Sequence, residues 1–302
     1  GHRRSAMKQI PQKITPISLK ERSSLIFLEY GELDVIDGAF VLIDVNGIRV
    51  QIPVGGVACI MLEPGTRISH AAVKLAAQVG CLLTWVGEAG VRLYSTGHPG
   101  GARSDRLLYQ AAIALDAQGR QHVVQKMFEM RFGEKIAPDL TINQMRGLEG
   151  IRVKRLYEEY AIRYHVRWEG RNYDPKRWGA SDLPNKCLSS GTSCLYGIVE
   201  AGILAAGYSP SIGLLHTGDP LSFVYDIADI FKFETVVPAA FEVAGQRPIH
   251  PERQVRQRCR DLFRQERILE RIIPTIHELL DASGLEMPKP YADSVLPAFQ
   301  KE

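Results

Sequence analysis

The chain has 302 residues, 45% of them hydrophobic and 24% charged, with a formal net charge of +3; that is enough apolar material for a large core or two small ones, with two domains the better expectation, and too little net charge to name a partner by itself. Five scattered cysteines (Cys59, Cys81, Cys187, Cys194, Cys259) without a C-x-x-C pair argue against a disulfide framework and a structural zinc site, so a cytoplasmic location is expected. No run reaches the ~18 unbroken apolar residues of a membrane helix, and no secretory signal pattern opens the chain, so a soluble protein without membrane contact is expected.

The opening "GHRRSA" before Met7 reads as an expression remnant. From residue 8 to 94 the pattern is β-like. "SLIFLEYGELDVIDGAFVLID" alternates around turn residues, and "VNGIRVQIP" sets Asn46-Gly47 between two strand-like runs, a strong hairpin signal. "VACIML", "CLLTWVG" and "VRLYS" add three more strands, while "PGTRISHAAVKLAAQVG", with Pro and Ser at its start and Gly80 at its end, predicts a single helix in this half.

Residues 95–105, rich in glycine, read as a linker. Residues 106–287 then follow helical periodicity through five stretches, the last running unbroken from Pro251 to Gly284, and 288–302 read as a loose tail. The fold class expected is α+β, with a small N-terminal β-rich domain followed by a larger all-helical C-terminal domain.

Candidate chemistry concentrates in "LLHTGDPLSFVYDIADIFKFETVVP". On a helix from about Leu221, Asp226 and Asp229 are i, i+3 neighbours, so both carboxylates face one locus, with His216 on the loop just before. Each acid alone is as well explained by an ion pair across a helical bundle. Together they repel unless a cation stands between them, and a divalent metal serves. In "QMRGLEGIRVKR", Glu149 is bracketed by Gly147 and Gly150, each costing about 1 kcal/mol in a helix relative to alanine. Close approach of another backbone or a ligand would offset that, with Glu149 paired to Arg146 or Arg152 as the alternative. Glu149, His216 and the aspartates form an oxygen-rich donor set that suits Mg2+ or Mn2+ better than zinc, and such sites serve phosphoryl chemistry.

In the last long helix expected, arginines 253, 256, 260, 264, 267 and 271 fall at spacings of three and four and occupy an arc of roughly 80°. Val255, Cys259, Leu262, Leu269 and Ile273 fall opposite. That face is expected to be an electrostatic track for a phosphate backbone, with an acidic protein partner as rival. Arg152, Lys154 and Arg155 add charge after Glu149, and "YHVRWEGRNYDPKRW" interleaves aromatic and basic residues.

With these residues in hand, the sequence closely resembles the spacer integrase of CRISPR systems, CRISPR-associated protein one, in its subtype I-E branch. The resemblance rests on "FLEYGELDVIDGAFVLID", "IPVGGVACIMLEPGTRISHAAVKLAAQVG", "MRGLEGIRVKRLY", "SCLYGIVEAGILAAGYSPSIGLLHTG" and "PLSFVYDIADIFKFETVVP". It implies metal ligands at Glu149, His216 and Asp229, with Asp226 as supporting acid; separately, Tyr196 in "SCLYG" is a candidate to assist near the site, with a buried packing tyrosine as the favoured alternative. It further implies a homodimer that assembles with a small ferredoxin-like companion, CRISPR-associated protein two, on a prespacer DNA, and joins its 3′-hydroxyl ends into the CRISPR array by transesterification. Tyr30 matches the residue that stacks on the end of the duplex, and Arg67, Lys74 and Arg92 match basic positions that hold DNA. Arg146, Arg152, Arg155, Arg253, Arg256, Arg260 and Arg264 complete the expected DNA-binding set, whereas Asp219 stands where the family pattern has a basic residue. Metal-dependent cleavage of branched DNA and a non-catalytic DNA scaffold are the alternatives. No G-x-x-x-x-G-K-[ST] loop is present, consistent with exchange of one phosphodiester for another without ATP.

Overall fold

The computed structural model describes residues 24–53, 55–97, 104–172 and 182–289. Residues 1–23, the centre of the expected linker, the end of the basic and aromatic stretch, and most of the tail lie outside them.

The N-terminal region builds two four-stranded sheets from β1 (Ser24–Leu28), β2 (Gly31–Ile36), β3 (Ala39–Ile43), β4 (Arg49–Ile52), β5 (Val57–Leu62), β6 (Thr66–Ile68), β7 (Leu82–Val86) and β8 (Leu93–Thr96). The first has the order β1-β5-β7-β8, parallel except at β8; the second has the order β4-β3-β2-β6. The two-residue turn of this region is Asp37-Gly38, with φ of +52° and +76°, joining β2 to β3 as left-handed turns require. Asn46-Gly47 does join strands, but inside a longer loop. There Asp44 Oδ1 accepts the N–H groups of Asn46 and Ile48, each at 2.8 Å. The expected helix is α1 (His70–Val79), capped by the Ser69 hydroxyl on the Ala72 N–H and ended by Gly80 at φ +70°.

β5 is buried along its whole length because both of its faces are covered. Ile60 and Leu62 join Leu33, Phe40 and Leu75 under the second sheet and α1. Cys59 and Met61 face the other way, into a core shared with the helices. Burial pushes the thiols of Cys59, Cys187, Cys194 and Cys259 up, to about 12 for Cys187 and Cys194, and none of the five cysteines forms a disulfide.

The helices are α2 (Ser104–Leu115), α3 (Ala117–Phe132), α4 (Ile142–Arg163), α5 (Leu183–Ala205), α6 (Ser222–Phe231), α7 (Val236–Gln246), α8 (Pro251–Gln265) and α9 (Ile268–Asp281). α5 is long and apolar enough to cross a bilayer, but 78% of that stretch is buried inside the helical core. At Gly197 of α5 an added Cβ would lie 1.6 Å from the Gly90 carbonyl oxygen, so helix and strand region touch backbone to backbone there.

Two helices expected as continuous are broken. Asp116 ends α2 and caps α3 by accepting the Gly119 N–H at 2.6 Å. Arg267, at φ +52°, separates α8 from α9 and ends the arginine stripe as one helical face. Within α8, the Arg260 guanidinium pairs with both Glu29 and Glu63, and Arg256 lies 3.3 Å from Glu88. These two arginines therefore bind α8 to the strand region, which corrects the expectation that they line an open DNA track. Arg253 and Arg264 remain exposed.

Candidate functional site

The loop from Gly213 to His216 is held from both sides. The Asp226 carboxylate, fully buried on α6, accepts the N–H groups of Leu214 (2.6 Å), Leu215 (3.2 Å) and His216 (2.9 Å). From the other side, Arg120 Nε donates to the Leu214 carbonyl at 2.6 Å, and Arg146 donates to that of Leu215. Gly213 has no room for a side chain, since a Cβ would meet the His216 carbonyl oxygen at 2.1 Å. One ring of the next turn is also fixed: His216 Nδ1 lies 2.8 Å from Asp226 Oδ1, which leaves Nε2 as the nitrogen open to a further partner. The hydrogen bond to Asp226, reinforced by the charges of Asp226, Asp229 and Glu149, holds the imidazole pKa above its ordinary value against the opposing effect of burial.

Asp226 and Asp229 thus divide the work that helical spacing alone assigned jointly. Asp226 is saturated by the loop and its histidine, so it positions rather than flanks a cation. Asp229 instead turns toward Glu149 of α4, and the cation between them is Arg131, from the last turn of α3. Its Nη1 donates to Glu149 Oε1 and lies 3.5 Å from Asp229 Oδ2. Arg131, Arg146, Glu149, Leu215, Asp226 and Asp229 line one recess with about 20 Å³ of free space, room for about one water molecule.

The donor chemistry of Glu149, Asp229 and His216 Nε2 fits a hard divalent ion. As the side chains stand, no three His, Cys, Asp or Glu groups among the described residues are arranged to hold one, and the Arg131 guanidinium bridges the two carboxylates.

The glycines beside Glu149 have a different surrounding from the one expected. A Cβ at Gly147 or Gly150 would meet nothing within 4 Å, so no close backbone approach within the described chain explains them, and Glu149 pairs with Arg131 rather than Arg146 or Arg152. Arg152 instead pairs with Glu134 and lies over Phe128, 5.2 Å from its ring centre. Tyr196 of α5 is half-buried, its ring 5.0 Å from that of Tyr225, which in turn stands edge-on to His216 at 5.8 Å. Burial, then the Asp229 charge, raises the Tyr196 hydroxyl pKa, so it stays protonated near neutrality.

The expected DNA residues are spread over several elements. Tyr30 is 65% exposed in the turn after β1, Arg67 lies on β6, Lys74 on α1, and Arg92 just before β8 at φ +55°, all exposed. Arg155 is exposed on α4, 2.9 Å from Glu159. Arg131, Arg120 and Tyr225 escaped the sequence reading. Arg131 and Arg120 sit in ordinary helical periodicity, and only the packing of α3 against α4 and α6 gives them a role.

A family model described as CRISPR associated protein Cas1 matches residues 129–267, a span that contains Arg131, Glu149, His216, Asp226 and Asp229. Curated relatives include "CRISPR-associated endonuclease Cas1 3" of Methanospirillum hungatei, 66% identical over 284 residues and covering 94% of this chain and 95% of the relative. "CRISPR-associated endonuclease Cas1" of Escherichia coli is 61% identical over 281 residues, 93% of this chain and 92% of the relative. Among solved structures, "Crystal structure of TtCas1-DNA complex" matches with a TM-score of 0.78 at 39% identity, covering 88% of this chain and 99% of that one.

Proposed function

Because the chain belongs to the Cas1 family, we propose that it is the integrase of CRISPR adaptation, joining the 3′-hydroxyl ends of a prespacer into the CRISPR array. The observation that carries the reading is the convergence of Glu149 and Asp229 on one cation beside a histidine whose Nδ1 is held by a buried carboxylate. Glu149, Asp229 and His216 Nε2 would hold a Mg2+ or Mn2+ ion. Bound there, the ion would polarise the phosphodiester under attack and offset charge on the leaving oxygen.

The chain's own residues set that stage. Asp226 fixes the loop and the imidazole orientation, so His216 presents the same nitrogen to the recess throughout. The raised Tyr196 pKa keeps its hydroxyl a donor rather than an anion beside an already acidic site. Exposed Arg67, Lys74, Arg92, Arg155, Arg253 and Arg264 supply phosphate contacts, and Tyr30 an exposed ring for stacking on a duplex end. The DNA complex of a relative supports the polymer class of the substrate. A homodimer and the small ferredoxin-like companion belong to the same reading, which rests for them on the family resemblance.

A second reading, metal-dependent cleavage of branched DNA, is favoured by the endonuclease names of the relatives. One assay separates the two. A short duplex with free 3′-hydroxyls is incubated with a supercoiled plasmid carrying a CRISPR array, the companion protein and Mg2+ or Mn2+, and wild type is compared with His216→Ala. Joined strands lost in the variant, with DNA binding kept, support the integrase. Cut but unjoined products support the nuclease, and equal joining by both proteins removes His216 from the site.

A further inference from the structure

Arg131 is a charged side chain of the recess to which the proposed chemistry gives no part. It is 8% exposed, and its guanidinium lies 5.2 Å from the Phe132 ring centre and 5.7 Å from that of Phe233. Its Nη1 serves Glu149 and approaches Asp229, whereas its Nε is buried and has no hydrogen-bond partner. A buried donor left unpaired costs about 1–3 kcal/mol, at Arg131 as at Arg260. Here the charge of the two carboxylates, rather than a complete set of hydrogen bonds, accounts for where the guanidinium sits.

The carboxylates that Arg131 neutralises are the two assigned to a divalent ion, and while the guanidinium bridges them it occupies the oxygens that would ligate the ion and sets a like charge against it. We propose that Arg131 is a resident counter-ion that competes with the divalent metal: it neutralises Glu149 and Asp229 in the metal-free protein and must withdraw for the ion to enter. The inference rests on the reading that these acids hold a metal. Arg131 then acts as a brake, setting how much free metal the protein needs. If the withdrawn conformer holds about 10% of the metal-free population, the apparent affinity is about tenfold below that of the unobstructed site.

The test is direct Mn2+ binding, read by the electron paramagnetic resonance signal of free Mn2+, on wild type, Arg131→Gln, Arg131→Lys, Glu149→Gln and Lys126→Gln. Lys126 shares α3 with Arg131 but pairs with Glu278 at 3.1 Å, so its variant controls for loss of a positive charge. Arg131→Gln is expected to bind Mn2+ about tenfold more tightly, Arg131→Lys by an intermediate factor, and Lys126→Gln as wild type does. Arg131→Gln is also expected to melt below wild type without metal and to recover more on adding Mn2+. Unchanged or weaker binding by Arg131→Gln, while Glu149→Gln still abolishes it, overturns the brake and leaves the metal site standing. Should Arg131→Gln not fold, unchanged affinity in Arg131→Lys overturns it equally. Equal binding by Glu149→Gln and wild type, or none by any protein, removes the metal reading and the brake with it.

Discussion

Replacing Asp226 by alanine removes the acceptor for three backbone N–H groups and the imidazole at once. Leu214 is fully buried and Leu215 is 8% exposed, so water cannot replace the carboxylate at either N–H. The His216 side chain is 40% exposed, so water can reach that end of the loop. Counting only the two buried donors at about 1–3 kcal/mol each, with the lost charge-assisted character toward the upper end, gives a destabilisation of about 4 kcal/mol. With an unfolding entropy of about 2.1 cal/mol/K per residue, a chain of this size should melt about 6 °C lower. Differential scanning calorimetry on metal-free protein at neutral pH measures it. A melting point within about 2 °C of wild type would refute the reasoning, since it would mean that the loop finds other partners without difficulty.

His216 should titrate above the ordinary histidine value of about 6.5 in metal-free protein, and Asp226→Asn should bring it back down, which NMR of the imidazole protons reads directly. Since the folded value is the higher one, the His216–Asp226 pair adds stability that is fully present below the unfolded pKa and is lost as pH rises through the folded one; an unfolding series across that window should show the decline in wild type and not in His216→Gln. Arg260→Met leaves Glu63, whose side chain is 2% exposed, with its charge unpaired but for the Ala89 N–H, and should lower unfolding free energy in urea by about 3–5 kcal/mol, with Glu63→Gln in the same chain recovering most of it. Gly213→Ala forces the His216 carbonyl away from a Cβ that would stand 2.1 Å from it, so the His216 resonances should broaden or shift; an unchanged spectrum would show that the loop accommodates the methyl.

Where local chemistry decides structure, the sequence was legible. Ser69 and Gly80 bracket α1 as a cap and a left-handed terminus must, and α6 begins within a residue of where periodicity put it. The convergence of Glu149, Asp229 and His216 could be anticipated from their chemistry. The separate roles of Asp226 and Asp229 came only with the family resemblance, because residue chemistry leaves open which carboxylate the incoming loop meets. The break at Arg267 carries no glycine or proline. Its cause lies in tertiary packing, which buries Ile268 and Ile272 of α9 completely, and packing overrides the mild preference of arginine for a continuous helix. The parallel pairing of β5 with β1 on one side and β7 on the other joins segments far apart in the chain, and no local pattern encodes it. Likewise, a helical wheel shows that Arg260 lies on one face of α8, but not that Glu29 and Glu63 await it there.

The meeting of Gly197 with Gly90 makes α5 a lever arm as well as a core helix. Its neighbour in sequence, Tyr196, touches Tyr225, and Tyr225 touches His216, so a shift of the strand region against α5 reaches the imidazole through two ring contacts. With no side chain at Gly197 to act as a spacer, little slack separates the two bodies at that point. A load applied to the strand region at Gly90 would be borne by the same helix that carries Tyr196, in close series with the histidine loop.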